Sequence, residues 1–357
     1  MRVPALIMCV FAGLLGMTAY FALKLDRPNR TFESELHRHG VREPIMAERS
    51  NYSNNTMAVC IVGGLRTFEL SCMQQQFYER FAAEFVTHAD FFFVLNTLDS
   101  ISGIDNASGA VTKIMLNRMN AQGIVWMSGL EVDSWIASLN LHNRTCPIDQ
   151  NIIGEPDHPV LPQAFNNRVC GDIISQAEIT RKRKYEWALR VRPDIEFHAA
   201  IPSFSSWHAP TDDPYGTFWA PRFCINGKAA SAADFINVAH GSNAIYAMFN
   251  AIYAMFNGMY DGVQNCELPN LAEHNYTDPV FSSPEQVFGA AIELSNVTRR
   301  LLEFVMVSVN RNFKKCNIDH VYSAQYKPGE LYSSALALAP RDTMGCVGNW
   351  WSIPAKR

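Results

Sequence analysis

Beyond residue 57 the chain alternates between short apolar runs and longer stretches in which apolar residues recur every three or four positions. AVCIV at 58–62 is a β-rich run ended by Gly63 and Gly64, and FELSCMQQQFYERFAAEF after it carries helical spacing. ADFFFVLNT at 89–97 predicts a second buried strand, a segment near 110–121 a helix, and GIVWMS at 123–128 a third strand. The Pro- and Asn-rich stretch 142–168 is expected to be a loop, 170–184 a helix, and YEWALRV at 185–191 the next strand. TFWAPRF at 217–223 is a further strand candidate, and SSPEQVFGAAIEL at 282–294 has the Ser cap and first-turn Pro of a helix start. Strands alternating with helices imply an α/β fold, a mostly parallel sheet with flanking helices on both faces.

NAIYAMF at 243–249 is repeated at 250–256. Seven residues are close to two helical turns, so both copies fall on nearly one face and lengthen a single amphipathic helix. Two copies do not make a solenoid, and a simple duplication is the expected reading. The basic cluster Arg181 to Lys184 is expected to be a solvated helix end. Residues 314–357 are aromatic and irregular, with Cys316 and Cys346, and read as a tail open to disulfide tethering.

The amino terminus follows a different pattern. Residues 4–23, PALIMCVFAGLLGMTAYFAL, contain no charge, and at about 1.5 Å per residue they span a hydrocarbon core of about 30 Å. One uncleaved transmembrane anchor is expected, after a cytoplasmic tail of residues 1–3. Residues 24–57 are polar, hold Pro28 and Pro44, and read as a stem. The body would then run over 58–313.

Flanking charges do not orient the anchor, because Arg2 precedes it and Lys24, Arg27 and Arg30 follow it. Seven N-glycosylation sequons do: Asn29, Asn51, Asn54, Asn106, Asn143, Asn275 and Asn296. They point to a lumenal or extracellular body, and a Golgi or ER membrane location with a lumenal body is expected. Of nine cysteines, Cys9 lies in the anchor, and the other eight permit up to four disulfides in an oxidising compartment. For Cys60, inside an apolar run, a buried free thiol and a disulfide are both open. The net charge of −4 and the scattered lysines give no basic stripe, so no nucleic-acid partner is expected.

Candidate chemistry centres on RVRPDIEF. Pro193 stops ladder donation after WALRV, which places Asp194 at the carboxyl end of a sheet strand, where open α/β sheets hold ligands. Asp194 and Glu196 could offer oxygens to Mn²⁺ or Mg²⁺ holding a diphosphate; a strand-end surface pair is the alternative. In VGGLRTFE, Gly63 and Gly64 permit a tight turn and close ligand approach, and Arg66 could reach a phosphate or carboxylate. The loop is neither a Walker loop nor a full dinucleotide fingerprint, and it lacks the Lys that a sulfotransferase would need. His198 and His240 read as ordinary loop histidines, since neither has a second ligand at metal spacing.

The succession CIVGGLRTFE, ADFFFVLNT, YEWALRVRPDIEF, ADFINVAHGSNAIYAMFN and SPEQVF, over residues 57–312, resembles a family of mostly uncharacterised glycosyltransferase-like proteins of plants, algae and protists. The resemblance implies a GT-A-like (Rossmann-type) fold in a type II membrane protein. It implies transfer of a sugar from a nucleotide-diphosphate sugar to a glycan or glycoprotein acceptor. Asp194 then sits at the superfamily's metal-binding acidic motif, here Asp-Ile-Glu rather than Asp-x-Asp. Arg66 and Arg192, with Gly63 and Gly64, lie on the nucleotide side, and Asp234 and Glu285 on the acceptor side. Asp234 is either a loop or capping carboxylate or an acceptor ligand. Glu285 is either a carboxylate stabilised by a helix N-terminus or the general base. A non-catalytic lumenal binding protein on the same fold is the alternative.

Overall fold

The computed structural model divides the chain into two units, Met1–Gly40 and Val41–Arg357. The structure describes residues 45–46, 55–65, 68, 71–97, 118–138, 160–197, 201–209, 213–220, 223–225, 228–230, 236–256, 288–289, 291–292, 295–302 and 307–309, all in the second unit. The anchor at 4–23 and the tail at 314–357 lie outside the described residues, as does most of the stem. Among the described residues no helix is long and apolar enough to cross a membrane.

Strands β1 (Ile45–Met46), β2 (Met57–Gly64), β3 (Ala89–Asn96), β4 (Ala121–Met127), β5 (Trp187–Val191), β6 (Ile195–Phe197), β7 (Thr217–Ala220), β8 (Phe223–Ile225), β9 (Lys228–Ala230), β10 (Ile236–His240), β11 (Thr298–Leu301) and β12 (Val307–Val309) follow in chain order. Eight form one sheet, ordered β1-β4-β3-β2-β5-β10-β7-β11. The four central strands from β4 to β5 are mutually parallel, and only β1 and β10 oppose the common direction. The sheet is therefore mixed, with the expected parallel core. β1 lies within the expected stem and pairs antiparallel with β4.

The helices are α1 (Ser71–Phe77), continued by a π-turn at Tyr78–Ala82 into α2 (Ala83–Phe85), then α3 (Gly129–Ser138), α4 (Val160–Arg181) and α5 (Ser242–Phe256). Phe77, Phe81 and Phe85 are buried on one sheet face with Val59, Ile61, Phe91, Phe93, Leu189 and Val191. The ring pairs Phe77–Phe81 and Phe81–Phe85, at 4.9 and 5.3 Å between centroids, run along that helix. α4 and α5 cover the other face. Gly171 of α4 permits their close crossing, since a Cβ there would lie 2.9 Å from Phe249 Cβ.

The reading of 142–168 as a loop is corrected for its described part, because α4 begins at Val160. Leu161, Ala164, Phe165, Val169, Cys170, Ile173, Ile174 and Ala177 are all buried and recur at helical spacing. Pro162 falls in the first turn, where its missing N–H leaves no bond unmade. Asn166 and Asn167, which read as loop residues, are buried on this helix. The helix also ends at Arg181, short of the expected Lys184.

The reading of Arg181 to Lys184 as a solvated end holds for only part of the cluster. Arg181 has 4 % of its side chain exposed and pairs with buried Asp90 at 3.0 Å. Tyr185 Oη donates to the same carboxylate at 2.7 Å, and Asn55 Nδ2 to its other oxygen at 3.0 Å. Burial first, then the Asp90 charge, pushes the Tyr185 phenol far above its ordinary range, so it stays a donor. His240, expected in a loop, closes β10, and its ring lies 4.6 Å from that of Trp187.

Candidate functional site

The carboxyl ends of the parallel strands meet at the glycine loop. β2 pairs with β5 in the register Ile61 to Val191, so the two chains leave the sheet side by side. Gly63 has φ +146°, and a Cβ there would lie 3.1 Å from Pro193 Cδ and 3.9 Å from Arg192 Cγ. A side chain at this position would be strained by its backbone and would push the Arg192–Pro193 turn away. The two motifs singled out in the sequence therefore form one surface. Beside them, the Leu65 amide donates to the Asn96 carbonyl at 2.9 Å and the Thr97 amide to the Met127 carbonyl at 3.0 Å, tying the ends of β2, β3 and β4 together.

Below the turn, Ile195 and Phe197 are buried. The Phe197 ring stacks on Phe81 at 5.1 Å, and its carbonyl accepts hydrogen bonds from Gln76 and Arg80. β6 also pairs with β12, with Glu196 opposite Ser308. The segment is thus held from below by aromatic packing and from the side by a ladder.

Asp194 is buried and forms a forked ion pair with Arg192. Nε donates to Oδ1 at 2.9 Å and Nη2 to Oδ2 at 2.8 Å. The side chains are unequal in exposure, 12 % for Arg192 and 2 % for Asp194. Two parallel charge-assisted bonds fix the guanidinium in plane with the carboxylate. A hard divalent cation expected at this motif would need Asp194 oxygens already taken by Arg192, and it would sit against a fixed positive charge. Of the expected pair Asp194 and Glu196, only the Asp194 side chain is among the described ones, and Arg192 engages both of its oxygens. Among the described residues, no group of three His, Cys, Asp or Glu side chains could hold a metal ion.

Behind the turn lies a polar row that the sequence did not reveal. Cys60, Arg190 and Asn237 are register partners on three adjacent strands. Arg190 is buried, donating from Nε to Asn167 Oδ1 at 2.7 Å and from Nη1 to Asn237 Oδ1 at 2.9 Å, with its guanidinium 5.5 Å from the centre of the Phe288 ring. Cys60 forms a disulfide with Cys170 of α4, which settles the choice left open for it. The only signal in the sequence was the alternation of ALRVR, which puts Arg190 on the face opposite Leu189 and Val191.

Of the other site residues, Gly64 ends β2 beside Gly63. Glu196 lies in β6, and its side chain is not among the described ones. Arg66, Asp234 and Glu285 lie outside the described residues, as do the sequons at Asn29, Asn51, Asn54, Asn106, Asn143 and Asn275. Asn296 is exposed in a turn before β11, with φ +55°, a conformation Asn tolerates.

No family model matches the chain, and no curated protein does. Among solved structures, the chain is similar to the apo-form glycosyltransferase GlyE of Streptococcus pneumoniae TIGR4, at 9% identity and TM-score 0.29 over 69% of this chain and 45% of that one. The chain thus spans under half the length of that protein. It is also similar to mouse xyloside xylosyltransferase 1 in its apo form, at 5% identity and TM-score 0.33, covering 70% of this chain and 85% of that one. The mannosyltransferase Ktr4p of S. cerevisiae matches at 9% identity and TM-score 0.28, covering 79% and 81%. All three are transferases by name, and likeness at TM-scores this low does not establish a shared fold.

Proposed function

We propose that this protein is a glycosyltransferase of GT-A-like fold. It moves a sugar from a nucleotide-diphosphate sugar to a glycan or glycoprotein acceptor in the secretory pathway, held by a single anchor at residues 4–23 with its body in the Golgi or ER lumen. The observation that carries the reading is the contact of Gly63 with Arg192 and Pro193. It joins the glycine loop to the Arg-Pro-Asp turn at the carboxyl ends of parallel strands, the place where α/β sheets bind nucleotides.

Arg192, with the Gly63–Gly64 backbone and Arg66 after it, would hold the donor's diphosphate. Either Asp234 or Glu285 would take the proton of the acceptor hydroxyl if the sugar inverts. The chain's own work is to orient the diphosphate against the acceptor and to offset charge on the departing nucleotide.

The test is nucleotide-sugar hydrolysis and transfer by the full-length chain from a eukaryotic host, assayed with a panel of UDP and GDP sugars. Turnover of one donor that Arg192→Gln abolishes supports the reading. A folded protein that neither binds nor turns over any of them is the non-catalytic lumenal protein instead.

A further inference from the structure

Resting on the lumenal location in that reading, we propose that Asn296 carries an N-linked glycan, and that this glycan covers the amino end of the β7–β11 strand pair. Asn296 opens the sequon Asn296-Val297-Thr298, and it is the one sequon asparagine among the described residues. Both of its flanks are held. The Ser295 amide donates to the Ile292 carbonyl at 3.0 Å, and the Ser295 hydroxyl to the Ala291 carbonyl at 2.9 Å. Val297 is buried, the Thr298 amide donates to the Gly216 carbonyl at 3.1 Å, and the Thr298 hydroxyl bonds Asp213. Asn296 stands exposed at the apex of this turn with φ +55°, a left-handed conformation that Asn tolerates. A buried asparagine could not keep a glycan through folding, whereas this one lies at the surface.

The sheet topology says where that glycan stands. β11 runs parallel to β7, which opposes β10 as β10 opposes β5, so β5, β7 and β11 point one way. Asn296, two residues before β11, therefore lies at their amino ends, whereas the Gly63 and Arg192 turns lie at the carboxyl ends of β2 and β5. A glycan on Asn296 leaves the proposed donor site open. β11 is the last strand of the sheet among the described residues. Tyr215, 58 % exposed, comes two residues before Thr217, the register partner of Thr298. An edge strand with an exposed aromatic at its end invites association between chains, and a bulky hydrated glycan there would block it.

The co-reactant is a lipid-pyrophosphate-linked oligosaccharide. Asn296 Nδ2 bonds to the anomeric carbon of its first sugar, and the bond from that carbon to the pyrophosphate oxygen breaks. The lipid pyrophosphate leaves with the electron pair, and the amide gives up one proton. Thr298 supplies the hydroxyl that the sequon requires at its third position. In the fold that hydroxyl is engaged by Asp213 and the Thr298 amide by Gly216, so transfer belongs to the stage before β11 docks on β7.

The test is glycopeptide mass mapping of the full-length chain from a eukaryotic host, for the wild type, Thr298→Ser and Asn296→Gly. A glycan on Asn296 is expected in the wild type and in Thr298→Ser, which keeps the sequon, and it is lost in Asn296→Gly, which keeps the left-handed turn. In sedimentation velocity at equal concentration, Asn296→Gly should self-associate more than the wild type, and adding Tyr215→Ser should reverse that gain. Equal sedimentation of Asn296→Gly and the wild type would overturn the covering role. Glycans on other sequons with Asn296 bare would overturn the inference and leave the lumenal reading standing. A chain with a cooperative thermal transition and no glycan on any of its seven sequons would remove both.

Discussion

Arg168 of α4 donates a hydrogen bond to the Asn250 side-chain oxygen of α5 at 2.6 Å. Asn250 opens the second copy of NAIYAMF, and its amide nitrogen donates to the Tyr246 carbonyl at 3.1 Å. Its counterpart in the first copy, Asn243, is exposed. Seven residues bring the chain back to nearly the same angle but advance it by about 10 Å along the axis, so identical residues enter different surroundings. Asn250→Ala should destabilise by about 1–3 kcal/mol, because Arg168 loses a buried acceptor. Asn243→Ala should change stability by no more than about 0.5 kcal/mol. Denaturant melts of both variants check this; equal losses would contradict the assigned packing.

Gly63→Ala places a Cβ 3.1 Å from Pro193 Cδ on a backbone with φ +146°. A loss of about 1–3 kcal/mol in stability is expected from strain and overpacking. The loss of UDP or GDP affinity should exceed that seen in a variant of equal stability altered at the α4–α5 crossing, such as Gly171→Ala. Equal affinity losses at the two positions would separate Gly63 from the site.

Cys60 and Cys170 close a loop of 110 residues by sequence separation. Chain-entropy reasoning assigns such a link about 4–5 kcal/mol. The double variant Cys60→Ala/Cys170→Ala should therefore unfold at markedly lower denaturant than the oxidised wild type. Reduction of the wild type should move its midpoint toward that of the variant.

Burial holds the His240 imidazole below its ordinary pKa of 6.5, with Glu186 and Asp213 acting in the opposite direction. The unfolded chain therefore binds a proton more readily than the fold does between the lowered value and 6.5. Stability should fall as pH drops through that window and level off below it. His240→Gln should flatten this part of the profile in pH-dependent melts; an unchanged slope would assign it to other groups.

Asp90 accepts from Arg181, Tyr185 and Asn55 in a buried cluster. Tyr185→Phe removes one donor and should cost about 1 kcal/mol or somewhat more. Asp90→Ala leaves the Arg181 guanidinium buried without this carboxylate and should cost about 3–5 kcal/mol. Thermal melts rank the two.

Five strands of the sheet were readable, because AVCIV, ADFFFVLNT, GIVWMS, YEWALRV and the TFWA of TFWAPRF are short apolar, β-rich runs. β10 and β11 were not, since INVAH and TRRL carry polar residues whose partners lie on other strands. α3 was missed because GLEVDSWIAS begins with a glycine that resembles a loop. The start of α4 was hidden by Pro162 and the Asn166–Asn167 pair, a loop composition overridden by tertiary burial. At the site, sequence reasoning placed Asp194 and the glycines at strand ends, and the sheet brings them together. The fork between Arg192 and Asp194 could not be read, because two residues one apart meet only if the intervening Pro193 turns the chain.

The position of β2 between β3 and β5 bears on biosynthesis. β3 follows it within some thirty residues, but β5 begins only at Trp187 and the partner of Cys60 only at Cys170. On the proposed lumenal location, a nascent chain entering that oxidising compartment would carry an unsatisfied strand edge and a reactive thiol until most of the domain had been synthesised. Cys60 would meanwhile be open to mixed disulfides with passing thiols, so oxidoreductase supply, rather than intrinsic helix or strand formation, would limit the yield of correctly folded molecules.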